Sequence, residues 1–440
     1  MSRLPYENHL QYVAQCITIR DEDRPVYTKD FDKIRDYILD GMCEVDNVFK
    51  LIYKGTSLFG SYSNNVRIKY PNEFDVIFKL SIPFTKYINV EKDDDRPGYV
   101  NLDCEELMDE LYECNGYNDL YNRFDQIVDR KNGYLRRSNL QWWLHNLIIE
   151  CLDTYGNRIR GNWGDIYTLI YTKRGLAHTI YAQCDERSIS IDLVPGICFG
   201  PADWIETRQS KKFINRCDQW YAVPKPSPGP KESRCHAFLI CNPKVEHDLL
   251  LNRQNLKVVY RLLKSLRNEY GMKRLKSYFF TTAFLWEIEL QDTAFWNNPL
   301  SILLEHMLES LAGDFEDRRL PFFWDRELNL LDVLSDEEID EYAWKLKRAY
   351  QTLRQYKTEP NLTLKRVLSH FEMLETLASD FEDGCLPFFW DRELNLLDAL
   401  SDEEIDDFAW KLKRAYQTLR QYKTEPNLTL KRVLTHFELP

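Results

Sequence analysis

Nowhere in these 440 residues does an uninterrupted apolar run approach the length of a membrane-spanning helix, so no spanning helix and no membrane partner is expected. The opening stretch MSRLPYENHLQYVAQC has no continuous apolar core and does not read as a secretory signal. The eleven cysteines contain no Cys-x-x-Cys pair and follow no regular spacing, which argues against a disulfide framework and for reduced thiols in the cytoplasm. An overall basic excess is missing as well. The formal charge of −12 would at first exclude a nucleic-acid ligand, since phosphate binding needs cationic surface. Residues 307–438, however, carry 18 Lys and Arg against 28 Asp and Glu and so hold −10 of that charge. The first 306 residues are nearly neutral, which leaves room for a local basic stripe. Candidates are Lys131, Arg136 and Arg137, Arg158 and Arg160, Lys173 and Arg174, and Lys211 and Lys212, each readable singly as a solvated cation. With 44% hydrophobic and 29% charged residues the chain is globular, and its length allows two or three lobes.

What is present is concentrated in GSYSNNVRIKYPNEFDVIFKLSIP, residues 60–83. Gly60-Ser61 can turn the backbone towards a phosphate and offer it N–H groups and a hydroxyl. Glu73 and Asp75 follow on an alternating pattern; two positions apart on a strand they share a face. Phe74, Val76 and Phe78 make the other face apolar. A second alternating segment, SISIDLVPGI at 188–197, sets Asp192 opposite Ile189, Ile191 and Leu193. Three carboxylates beside a phosphate cradle are the donor set of a Mg²⁺-dependent phosphoryl or nucleotidyl transferase, with Glu73, Asp75 and Asp192 both catalytic and metal-holding. An isolated Glu-x-Asp on a strand is more often a solvated face; the conjunction with the turn and the buried face favours the site.

The rest of the chain divides readily. A helical pattern runs from about Asp30 to Tyr53, closed by Gly55, and strand-like stretches follow at 64–90, 165–182 and 187–194. Residues 91–97 read as a polar loop and 102–152 as mainly helical. VPKPSPGPKES, 223–233, has four prolines and is an exposed connection. Helices are expected through 245–308. Beyond them, residues 307–372 and 373–438 align without gaps as two copies of 66 residues that differ at eight positions, each copy with a capping SDEEID motif. The expected divisions are a first lobe of 1–222, a helical lobe of 223–372, and a surplus copy at 373–440.

The 60–83 segment, together with SISIDLVPG (188–196), QWYAVPKP (219–226), KSYFFTTAFLWE (276–287) and LPFFWDRELNLLDVL (320–334), resembles the cyclic GMP-AMP synthase-like receptors, nucleotidyltransferases of the Mab-21 type. The matches keep the family order and span roughly residues 30–371. The resemblance implies an α/β (α+β) bilobal nucleotidyltransferase fold, with a mixed-sheet catalytic lobe braced by a long spine helix and a helical lobe closed by one copy of the repeat. It implies a cytoplasmic innate immune sensor that makes a cyclic dinucleotide from ATP and GTP once a nucleic acid binds.

Carried over residue by residue, the resemblance makes Gly60, Ser61, Lys264, Ser277 and Tyr278 nucleotide-binding: Lys264 against the triphosphate, Ser277 against a phosphate, Tyr278 stacked on a base. From the residues alone, Tyr278 reads nearly as well as a core tyrosine, and Lys264, with Arg261 and Arg267, as a solvated helix face. The chain departs from the family at Thr281, where a lysine is usual, and at FLICNP (238–243) in place of an Arg-x-Ser stretch. It also lacks the compact cysteine-rich insert of the vertebrate enzyme. Cys217, Cys235, His236 and Cys241 stand near the matching place without zinc-ligand spacing, so no zinc is expected, and Mg²⁺, with Mn²⁺ as an alternative, is the expected cofactor. Double-stranded RNA is the preferred activating ligand, with assembly into a homo-oligomer on it as a further expectation. Two alternatives stand beside this reading: a non-catalytic scaffold of the same fold, and a transferase making another di- or oligonucleotide.

Overall fold

The computed structural model describes residues 5–185, 187–205, 207–226 and 235–371, with the backbone of 387–388 and 391–395. Helices α1 (Pro5–Cys16), α2 (Asp23–Val45) and α3 (Asn47–Ile52) lead into β1 (Tyr53–Phe59) and a single helical turn, α4 (Gly60–Ser63). Strands β2 (Glu73–Leu80), β3 (Asn89–Lys92) and β4 (Tyr99–Asp103) precede α5 (Glu105–Glu113), α6 (Asn118–Ile127) and α7 (Arg137–Tyr155). Then come β5 (Arg158–Arg160), β6 (Ile166–Arg174), β7 (Ala177–Gln183), β8 (Ser188–Phe199), α8 (Arg208–Phe213), β9 (Trp220–Val223) and β10 (Phe238–Cys241). The helical half follows: α9 (Pro243–Leu250), α10 (Gln254–Glu269), α11 (Ser277–Leu290), α12 (Leu300–Glu316), α13 (Asp336–Tyr356) and α14 (Leu364–Leu368). No helix among the described residues is long and apolar enough to cross a membrane.

One mixed sheet organises the first lobe, in the order β3-β4-β10-β9-β8-β7-β6-β5, with β2 added parallel to β8 and β1 antiparallel to β2. The alternation in EFDVIFKL does what period two predicts: Phe74, Val76, Phe78 and Leu80 are buried. The Phe74 ring stacks on Phe31 of α2 with centroids 4.1 Å apart, a contact worth roughly 0.5–1.5 kcal/mol beyond its buried area. Gly41 lets α2 approach α7, because a Cβ there would come within 2.4 Å of the Cys151 sulfur. The helix is thereby fixed against both the sheet and its neighbour.

Three expectations need correction. The helix expected at 30–53 is broken at Asp46, whose extended backbone ends α2 and whose Oδ1 accepts from Phe49 N at 2.7 Å to cap α3. The strand stretch expected at 64–90 reduces to β2 and β3, since Asn65 and Lys69 take left-handed backbone conformations that a strand cannot hold. The boundary expected at 222 falls too early: β10 pairs with both β9 and β4, so the first lobe's sheet runs to Cys241. The first helix also belongs to the far half, where Glu7 caps α12 by accepting from Leu300 N and Ser301 N at 3.0 and 2.9 Å.

The first repeat packs through its LPFFW loop. Leu320, Phe322, Phe323 and Trp324 are buried, Phe323 and Trp324 against Phe213, Trp204 and Trp286. The second copy, 373–440, lies outside the described residues except for two short strands, Pro387–Phe388 and Asp391–Asn395. There Pro387 pairs with Asn395, the register in which Pro321 bridges Asn329 in the first copy.

Candidate active site

The turn that joins β1 to α4 sets the geometry. Phe59 pairs with Asp75 across the antiparallel β1–β2 ladder, so Gly60 is the next residue out, above the Asp75 carboxylate. Its φ is +73°, and a Cβ there would lie 2.1 Å from Asp75 Oδ2, so both backbone and space require glycine. On the other side of β2, the parallel ladder to β8 sets Asp75 directly opposite Asp192 and Glu73 opposite Ser190. Gly60, Asp75 and Asp192 are thus brought together by strand register.

Electrostatics follow from that crowding. Burial, then the charges of Glu73 and Asp192, push Asp75 up to about 7. Burial raises Asp192 also, against the Thr179 hydroxyl that donates to its Oδ1 at 2.6 Å from the neighbouring strand. The Glu73 carboxylate, whose charge acts on both aspartates, is itself held by the Arg67 guanidinium, six residues back in the chain. Among the described residues no three His, Cys, Asp or Glu side chains form a ready ligand set. The Asp75 and Asp192 oxygens nonetheless suit a hard divalent cation, which would relieve the repulsion that raises them.

Sequence reasoning missed how the segment after the turn is held. From α2, Arg24 donates to Asn65 Oδ1 at 2.6 Å and Thr28 hydrogen-bonds the Tyr62 hydroxyl. From α9, the ring Nδ1 of His247 lies 2.8 Å from Asn64 Oδ1. From α10, Arg261 donates to Asn65 O at 2.7 Å and Lys264 to Val66 O at 3.2 Å. The solvated-face reading of α10 is therefore wrong for these two cations, which are 8% and 3% exposed. Burial, followed by the charges of Arg67 and Arg267, lowers Lys264 to about 7.

Beside the acids lies a cavity of about 330 Å³ whose lining includes Ser61, Asp75, Lys225, Cys241, Ser277 and Tyr278. Ser277 begins α11 and accepts from Arg267 at 3.4 Å. The Tyr278 hydroxyl donates at 2.9 Å to Glu246 Oε1, which also accepts from Trp324 Nε1 at 2.8 Å. Glu246 lines the same cavity, and burial raises its carboxyl to about 7. It was not anticipated from the sequence. The available signal was a carboxylate on the buried face of α9, between Val245 and Leu249, on a helix whose start is fixed by Asn242 accepting from Val245 N at 3.2 Å and by Pro243.

The cysteine and histidine group weighed for zinc is dispersed among other partners. Cys217 Sγ accepts from Asn242 Nδ2 at 2.8 Å, His236 Nε2 lies 3.2 Å from Asp129 Oδ2, and Cys241 faces the cavity. Of the basic candidates, Arg136 pairs with Asp129 at 2.9 Å and Lys212 with Glu289 at 2.8 Å, while Arg158, Arg160, Lys173 and Arg174 are exposed. Lys173 lies over the Trp142 ring at 5.2 Å.

Residues 62–252 match the Mab-21 protein nucleotidyltransferase domain, and residues 255–348 and 352–414 match the Mab-21 protein HhH/H2TH-like domain. The two helical matches end at Arg348 and Arg414, equivalent positions of the two repeats. A cyclic GMP-AMP synthase-like receptor of Lucilia cuprina is 31% identical over 368 residues, 83% of this chain and 97% of the relative. A cyclic GMP-AMP synthase-like receptor 1 of Drosophila erecta is 33% identical over 331 residues, 74% of this chain and 73% of the relative. A cyclic GMP-AMP synthase-like protein of Drosophila melanogaster is 32% identical over 337 residues, 76% and 89% of the two chains.

Proposed function

The chain belongs to the cyclic GMP-AMP synthase-like receptors, and from that premise we propose that it is a Mg²⁺-dependent nucleotidyltransferase that joins ATP and GTP into a cyclic dinucleotide when double-stranded RNA binds. The carrying observation is the register that sets Asp75 opposite Asp192 beneath Gly60. Asp75 and Asp192, with Glu73 once it leaves Arg67, would hold two Mg²⁺ ions, which when bound polarise the triphosphate and lower the pKa of the attacking ribose hydroxyl.

The chain's own groups do the rest. Gly60 and the Ser61 hydroxyl position the donor phosphates, and Lys264 and Ser277 face the triphosphate. Neutral in part at pH 7 when the site is free, Lys264 gains its full charge against a bound phosphate. The Tyr278 ring stacks on a base, a contact worth about 1–3 kcal/mol in nucleic-acid sites. Glu246 offers a carboxylate to base N–H groups. In each transfer a ribose oxygen bonds to the α-phosphorus, the bond to pyrophosphate breaks, and the hydroxyl proton leaves; two transfers close the ring.

Activation is supported by the contacts of Arg24 and Thr28 with the segment after the turn, because a ligand seated on α2 can bias that segment's equilibrium. The exposed pairs Lys173–Arg174 and Arg158–Arg160 supply cations for a duplex read by shape and backbone. The ion pair between Arg67 and Glu73 favours the rival reading, a scaffold without activity. Mass spectrometry of products from ATP, GTP and Mg²⁺ with duplex RNA, duplex DNA or neither decides. A cyclic dinucleotide only with RNA is expected; a linear product gives the other transferase reading, and nucleotide binding without any product gives the scaffold.

A further inference from the structure

A second hollow, of about 580 Å³, opens beside Glu73 and is walled in part by the link between α10 and α11. Its lining includes six cations, Arg67, Lys69, Lys264, Arg267, Lys273 and Lys276, and among the described residues Glu73 is its one acid. Such a concentration is out of keeping with a chain of formal charge −12. A groove lined by one sign of charge focuses the field and draws in the opposite sign, against the repulsion of the whole protein.

Three stretches assemble the groove. The segment after the catalytic turn gives Arg67 and Lys69, and Lys69 N donates to Ile17 O at 3.1 Å, which ties that segment to the link after α1. Helix α10 gives Lys264 and Arg267, the latter held by donating to Leu275 O at 3.1 Å and Ser277 Oγ at 3.4 Å. A turn at Gly271, with φ +67°, then brings round Lys273 and Lys276. Both are exposed, and neither has an ion-pair partner among the described residues.

The groove is continuous with the nucleotide cavity, because Arg67, Glu73 and Ser277 line both. An anion leaving the acids past these residues enters it directly. Arg67 stands at the junction: one arm holds the Glu73 carboxylate, Nη2 donates to Asn72 Oδ1 at 3.1 Å, and Nε donates to Tyr70 O at 3.2 Å. A phosphate can replace the carboxylate on that guanidinium, since arginine binds both in the same forked geometry.

We infer that this groove receives the pyrophosphate released in each transfer, with Lys273 and Lys276 as its outer ligands and Arg67 passing from Glu73 to the departing anion. The inference rests on the transferase reading and adds a product site to it. Pyrophosphate is small, multiply charged and without a base, so it calls for cations rather than a stacking ring such as Tyr278. Drawing it off after the first transfer leaves the acids open to the next triphosphate.

Calorimetric titration of the full chain with inorganic pyrophosphate, in EDTA and without nucleotide, tests this. Wild type should bind, and K273E/K276E should bind about tenfold more weakly or worse. K273Q/K276Q should lose affinity in the same direction, and K86E/K131E, which reverses two exposed lysines outside the groove's lining, should bind like wild type. Melting of the same samples checks that each variant is folded. No binding by wild type, an unchanged K273E/K276E, or an equal loss in K86E/K131E would each overturn the inference, the last because attraction would then follow net charge alone. Loss of duplex RNA from K273E/K276E with pyrophosphate retained would overturn it too, assigning the groove to a nucleic-acid backbone. Because binding is read without turnover, a chain that bound pyrophosphate here but made no product would sink the transferase reading separately.

Discussion

The two walls of the cleft bury charge of opposite sign, and each is pushed towards neutrality. On the sheet side, burial and mutual repulsion raise Asp75 from 3.8 to about 7. On the helical side, burial lowers Lys264 from 10.5 to about 7. They do not neutralise one another in the ordinary way, because Lys264 and Arg261 spend hydrogen bonds on the carbonyls of Val66 and Asn65. The segment after the turn therefore takes up hydrogen bonds of both cations, and the charges of Arg67 and Lys264 offset only part of the rise at Asp75. Such a division costs stability in the free protein and suits a ligand that brings both charges, a nucleoside triphosphate with its divalent cation.

Breaking the acid wall has the largest effect: Asp75→Asn should lower product formation by about 10³-fold or more, the loss of several kcal/mol of charge stabilisation. Gly60→Ala strikes the same wall indirectly. Its Cβ displaces the Asp75 carboxylate and strains a backbone at φ +73°, and kcat/KM should fall by about 10²-fold while the fold survives. On the opposite wall, Lys264→Met should raise the KM for nucleotide by about tenfold, with the melting temperature unchanged or higher once a buried ammonium is gone. The smallest effect is the most diagnostic. Between about 4 and 7 the folded Asp75 binds more protons than the unfolded, so its contribution to stability falls as pH rises through that window. Between about 7 and 10.5 the folded Lys264 binds fewer protons than the unfolded, so its contribution rises. Melting of the metal-free protein against pH should show the lower limb flattened in Asp75→Asn and the upper limb flattened in Lys264→Met, each by a few degrees.

The two strands of the acid wall were legible in the sequence because the alternation within each is local, although their pairing joins residues far apart in the chain. Period two on β2 and β8 settles which faces Glu73, Asp75 and Asp192 occupy, and the Gly-Ser turn twelve residues before Glu73 marks where the phosphate cradle is proposed. The cation wall was not, because a lysine at helical spacing looks the same whether the face is solvated or turned to a partner segment 198 residues away in sequence. Glu246 was hidden for the same reason: its partners Tyr278 and Trp324 are 32 and 78 residues distant. Asp46 was readable in principle as a cap, but the apolar spacing on both sides continued through it and favoured one unbroken helix. The early boundary at 222 came from the proline run, which punctuates two strands of one sheet rather than two lobes.

The most direct test is pyrophosphate release by wild type and Asp75→Asn, side by side, with ATP, GTP, Mg²⁺ and duplex RNA, nucleotide binding being followed on the same samples. The account predicts RNA-stimulated release by wild type and about 10³-fold less by the variant, with nucleotide still bound. Equal release by both would contradict it, because the carboxylate beneath Gly60 would then have no part in the chemistry.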